Sequence, residues 1–141
     1  DSALLRSELF TTINKYDPRS VTVFIDACYS GISRDDEMLL ADARPISIVP
    51  VEKDVPENFT VFTASSGSEI SGSLPEAKHG LFSYFLMKGL EGDADSNGDQ
   101  QITAGELQAY VHSKVHKQAI RLGREQTPQL QGDKDRVLVQ W

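Results

Sequence analysis

The chain has 141 residues, of which 39% are hydrophobic and 25% charged, and its formal net charge is −7 at pH 7. That length suits one domain, and the acidic balance argues against a nucleic-acid backbone as partner, which wants a basic face. No apolar run approaches the ~18 residues needed to span a membrane, and the start, Asp1-Ser2-Ala3-Leu4-Leu5-Arg6, lacks the basic and apolar segments of a signal peptide.

Leu4, Leu5, Leu9, Phe10 and Ile13 recur at helical spacing behind Ser2, a suitable N-cap. They predict an amphipathic helix over residues 3–15, ended by Asp17-Pro18. Val21-Thr22-Val23-Phe24-Ile25 is apolar on both faces except at Thr22, the pattern of a buried parallel strand. Residues 32–58 are polar, contain three prolines and show no period. A loop of that length is expected to be exposed and mobile. Phe59-Thr60-Val61-Phe62-Thr63 predicts a second buried strand. Leu81, Phe82, Phe85, Leu86 and Leu90 predict a helix, and Leu107, Tyr110, Val111, Val115 and Ile120 another, running to Gly123. Val137-Leu138-Val139 predicts a final short strand. Strands alternating with helices give an α/β class with a mostly parallel sheet.

Cys28 is the single cysteine, so no internal disulfide can form; this suits a reducing compartment and predicts a cytoplasmic protein. A lone cysteine is usually a small buried hydrophobe. Its setting here is different. Asp26-Ala27-Cys28-Tyr29-Ser30-Gly31 directly follows the first predicted strand, and open α/β sheets bind their ligands beyond the carboxyl ends of the strands. The Ser-Gly that follows gives a permissive backbone able to bring N–H groups near a substrate oxygen.

Asp-Ala-Cys-Tyr-Ser-Gly resembles the cysteine motif of metacaspases, paracaspases and bacterial caspase-like peptidases, with Tyr29 where those typically carry His. His79-Gly80-Leu81-Phe82-Ser83-Tyr84 is similar to the segment that opens the next helix in many members, and Gln126-Thr127-Pro128-Gln129 resembles the stretch before the last strand. The resemblance covers nearly all of the chain. It implies a caspase-like α/β/α sandwich with a mostly parallel central sheet, this chain supplying the C-terminal part. It also implies a cysteine endopeptidase with Cys28 as nucleophile.

A thiol of pKa ~8.5 is normally activated by a base. The family's histidine precedes the cysteine, whereas His79, His112 and His116 all follow Cys28. His79, at the start of a predicted helix, reads as structural. His112 and His116 are spaced i, i+4 and could share a metal, but no third ligand lies nearby, and a solvated or packed helix face is the better reading. The resemblance therefore implies a histidine from outside these residues, on a missing upstream segment or a complementary N-terminal chain.

Asp26 stands two residues before Cys28, and in a strand i and i+2 point the same way. The resemblance gives the matching aspartate the basic P1 side chain, gives Glu69 the part of a second acidic pocket residue, and places Ser65 and Ser66 on the pocket wall. Two carboxylates facing a guanidinium allow charge-assisted, bidentate pairing. The plainer alternatives are a helix or turn cap for Asp26 and a solvated loop acid for Glu69. Arg34, Arg44 and Lys53 lie in the long loop and match such a pocket, so the loop is a candidate for self-cleavage at Arg34 or Lys53; Pro45 protects Arg44.

Asp95-Ser96-Asn97-Gly98-Asp99-Gln100-Gln101-Ile102-Thr103-Ala104-Gly105-Glu106 has the spacing of a twelve-residue EF-hand loop. Asp95, Asn97, Asp99, Thr103 and Glu106 supply side-chain oxygens, Gln101 a backbone carbonyl, and Ile102 the apolar eighth position. Gln100 replaces the glycine expected at position six, where φ is positive. A frame starting at Asp93 restores glycine there but loses the apolar residue and the final acid. The loop predicts calcium binding; the alternative is an acidic turn capping the helix that begins near Thr103.

The sequence thus predicts a peptidase for protein or peptide substrates with Arg or Lys at P1, with calcium as a possible cofactor and neither nucleic acid nor membrane as partner. The rivals are an inactive caspase-like interaction module and a calcium-binding regulatory domain.

Overall fold

The computed structural model describes residues 6–26, 55–65, 73–74 and 79–141, with residues 73, 74 and 79 described by backbone alone. Within them the order is α1 (Arg6–Asn14), β1 (Val21–Ile25), β2 (Phe59–Thr63), β3 (Ser73–Leu74), β4 (His79–Gly80), α2 (Leu81–Lys88), β5 (Gln101–Thr103), α3 (Ala104–Arg121), β6 (Gln129–Gly132) and β7 (Val137–Gln140). A widened helical turn, Gly89–Asp93, follows α2 and is broken by Gly92 at φ 128°.

β2 is the centre of a three-stranded mixed sheet in the order β1-β2-β6. It runs parallel to β1, with Val21 opposite Phe59 and Ile25 opposite Thr63, and antiparallel to β6, with Thr60 opposite Gly132. Side chains alternate across a strand, and β2 uses both faces. Phe59 and Val61 pack with Phe10, Leu9 and Ile13 of α1, while Phe62 packs with Leu81 and Phe82 of α2 and Leu107, Val111 and Val115 of α3. Helices therefore lie on both sides of this strand, and its first four residues are buried.

Three expectations change. β1 is parallel as predicted, but it is not buried on both faces. Val21, Val23 and Ile25 join the α1 cluster, whereas Thr22 is exposed and Phe24 is 40% exposed. The ring of Phe24 leans on Phe62 at 5.2 Å between centroids. The segment Val137-Leu138-Val139 is a strand but does not enter the main sheet. β7 pairs antiparallel with β5 in a separate ribbon, Ile102 opposite Val139. The strand that does join β2 is β6, whose Gln-Leu-Gln-Gly has one large apolar residue and therefore no strand pattern. Gly132 is needed there: it takes φ 110°, and a Cβ would overlap the carbonyl oxygen of Phe59.

The larger core joins α2, α3 and β5. Leu107 is fully buried in it, with Ile102, Val111 and Leu81 among the other members. Leu107→Ala is expected to cost about 2–5 kcal/mol, read as a fall in the urea midpoint without a change in slope. A loss within 0.5 kcal/mol would mean that α3 does not pack as described.

Candidate functional site at the carboxyl end of the parallel strands

β1 and β2 end side by side. The backbone N–H of Ala64 donates to the carbonyl of Ile25 at 2.9 Å, which closes the ladder one residue past β2 and puts Asp26 and Ser65 at the same edge of the sheet. Asp26 lies beyond the last residue of β1. The reading that Asp26 and Cys28 point the same way falls partly on residues outside those described. Cys28 lies outside the described residues, as do Ser66, Glu69 and the loop basic residues Arg34, Arg44 and Lys53.

The Asp26 carboxylate reaches across to the first turn of α2. Ser83 Oγ donates to Asp26 Oδ2 at 2.5 Å. Gly80, immediately before α2, lies so close that a Cβ on it would overlap the same oxygen. Its φ of −58° is open to any residue, so a side chain at this position would displace the Asp26 carboxylate without straining the backbone. Through the Ser83 hydroxyl the aspartate ties the end of β1 to the start of α2.

Ser65 is 5% exposed, and its hydroxyl finds no hydrogen-bond partner among the described residues. A buried hydroxyl without a partner costs roughly 1–3 kcal/mol, so its place at this edge suits a group that a ligand would satisfy. Behind it, the fully buried Gln126 donates from Nε2 to the carbonyl of Ala64 at 2.9 Å. Gln108 Nε2 donates to the carbonyl of Pro128 at 2.8 Å. The Gln-Thr-Pro-Gln stretch therefore braces the end of β2 against α3. No local sequence pattern marks Gly80, Ser83 or Gln126 for these contacts, which form only between distant elements.

Of the histidines, His79 directly precedes Gly80 and is described by its backbone alone. His79 pairs by its backbone with Leu74 in the β3–β4 ribbon. His112 and His116 are exposed on α3, their rings stacked with centroids 5.9 Å apart. Among the described residues no group of three or more His, Cys, Asp or Glu side chains is gathered as a metal-binding set.

The acidic loop joins two helical segments, as its spacing predicts. Gln100 takes φ 65° and Gly98 φ 76°. Position six therefore has the left-handed backbone expected of it, at a cost of about 1–2 kcal/mol for a residue with a Cβ. Asp95 accepts from the N–H groups of Gly98 (2.7 Å) and Gln100 (3.1 Å), Asn97 from Asp99 (2.8 Å), and Asp99 from Gln101 (2.9 Å). Ile102 is fully buried. Asp93, which opens the alternative frame, accepts the hydroxyl of Tyr110 at 3.1 Å and belongs to the helix contact. Burial, then that bond to Asp93, raises the Tyr110 hydroxyl to about 12.

Thr103 and Glu106 form a reciprocal cap on α3. Glu106 Oε2 accepts from the N–H and the hydroxyl of Thr103 at 3.0 and 2.9 Å, and Oε1 accepts from Ser96 at 3.0 Å. The Thr103 N–H, followed by its hydroxyl, holds the Glu106 carboxyl below its ordinary range. The capping alternative is thus present in the structure. The side-chain oxygens of Asp95, Asn97 and Asp99 accept backbone N–H groups of the loop itself.

No family model, curated protein or solved structure matches the chain. Among the described residues, no helix is long and apolar enough to cross a membrane.

Proposed function

We propose that this chain is the cysteine-bearing, C-terminal part of a caspase-like α/β/α sandwich and belongs to a cysteine endopeptidase that cuts after Arg or Lys. The observation that supports it best is the placement of Asp26. It opens the Asp-Ala-Cys-Tyr-Ser-Gly segment at the carboxyl end of parallel strand β1, beside Ser65 at the end of β2. That is where an open α/β sheet offers a site.

In this reading the Cys28 thiolate attacks the scissile carbonyl carbon. Backbone N–H groups of the motif hold the oxyanion. A histidine from another segment or a partner chain protonates the leaving amine, and water then hydrolyses the thioester. Asp26 and Glu69 select the basic P1 side chain, with Ser65 on the wall. Cys28 as the single cysteine fits a cytoplasmic enzyme. The test uses the protein at its natural length against a peptide library varied at P1. Cleavage after Arg and Lys is expected; a preference for Asp at P1 would contradict the pocket assignment.

The same proposal includes calcium at the loop Asp95–Glu106. Asp95, Asn97 and Asp99, the Gln101 carbonyl and Glu106 would hold the ion, with Thr103 at the ninth position, where a water commonly intervenes. Freeing Glu106 from its cap and the strain at Gln100 both weaken binding. The expected dissociation constant is about 10 µM or weaker. Calorimetry that shows no heat at millimolar calcium would remove the site.

A further inference from the structure

Resting on the peptidase reading, we infer that Ser83 is a positioning residue for P1 recognition: its hydroxyl and the bare backbone of Gly80 set the orientation of the Asp26 carboxylate. An aspartate just past a strand end is free to turn about χ1 and χ2. A carboxylate meant for a guanidinium must be held before the substrate arrives, because ordering it afterwards lowers affinity. β1 gives no such hold, since it stops at Ile25. One hold comes from the next layer. Ser83, in the first turn of α2, donates to Oδ2 at 2.5 Å. Gly80 lets the helix start approach the same oxygen. A serine hydroxyl donates one hydrogen, so this contact fixes the edge of the carboxylate that carries Oδ2.

This separates Asp26 from a plain strut. A strut needs only a bond between strand and helix. A recognition carboxylate needs that bond to set direction, so its loss should fall on the charged P1 substrate and spare a neutral one of the same shape.

The experiment compares wild type, Ser83→Ala and Ser83→Thr at natural length, with matched substrates carrying Arg or its neutral isostere citrulline at P1. Ser83→Ala is expected to raise KM for the Arg substrate roughly tenfold, the scale of one charge-assisted hydrogen bond. Its kcat should stay within about twofold, and its KM for citrulline should not move. Ser83→Thr, which keeps the hydroxyl, should restore the Arg KM. If Ser83→Ala does not fold, Ser83→Cys keeps the volume with a much weaker donor and should show the same rise. An unchanged Arg KM in the variant that folds, or equal losses for Arg and citrulline, overturns the positioning role and leaves the peptidase standing. No Cys28-dependent cleavage in the wild type overturns the peptidase reading, and this inference with it.

Discussion

Cys28→Ala is expected to abolish Arg- and Lys-directed cleavage, by about a thousandfold or more, while the protein keeps its wild-type denaturation midpoint. The size follows from what the thiol does. As a nucleophile it forms the covalent intermediate, and without it only binding and the oxyanion donors remain to help water attack. Removing the nucleophile of a serine protease costs on the order of 10⁶ in kcat, and a thiol is the stronger nucleophile of the two. Stability should change little because one sulfur is lost and a methyl group kept. Turnover retained in the alanine variant would remove the assignment. Loss of activity together with loss of folding would show Cys28 to be a packing residue.

Asp26→Ala should cost at least tenfold in kcat/KM on basic substrates, since one charge-assisted contact is worth about 1.5–3 kcal/mol. It should also cost stability. The change strips Ser83 of its acceptor and opens space beside Gly80, and an orphaned half-buried hydroxyl is worth roughly 1 kcal/mol. The two losses can be divided. Asp26→Asn keeps the shape and one oxygen acceptor for Ser83 but removes the charge. It should recover most of the stability and little of the activity on Arg or Lys. An asparagine variant with full activity on basic substrates would show that the carboxylate does not read P1 charge.

The parts of the fold that were legible in the sequence are those whose burial is written in a period. The run Phe59–Thr63 is buried because it is packed by helices on both faces, and the spacing of Leu107, Val111 and Val115 marks the core side of α3. Thr103 with Glu106 three residues later announces the cap that is found. What failed lacked such a signal. β6 has only Leu130 to mark it, and its pairing rests on Gly132, whose missing Cβ admits the Phe59 carbonyl. β7 was seen, but its partner was not: pairing with β5 depends on where the acidic loop places Ile102, which no local pattern states.

The site divides in the same way. The motif drew attention to Asp26, but its tie to Ser83 spans 57 positions and belongs to tertiary structure. The unmet hydroxyl of Ser65 is likewise invisible until β2 and its neighbours enclose it. The β5 segment of the acidic loop pairs with the chain's own β7, and the N–H of Trp141 donates to the Gln100 carbonyl at 3.2 Å, neither of which the loop's spacing announces.

The most direct test of the central claim is covalent labelling of the protein at natural length. A peptide with Arg at P1 and a thiol-reactive carbonyl warhead should add once, to the segment containing Cys28, as located by peptide mass spectrometry. Excess substrate with Arg at P1 should suppress the adduct, and the same warhead with Asp at P1 should label far more slowly. No adduct at Cys28, or equal labelling by the Arg and Asp probes, would contradict a basic-specific cysteine peptidase.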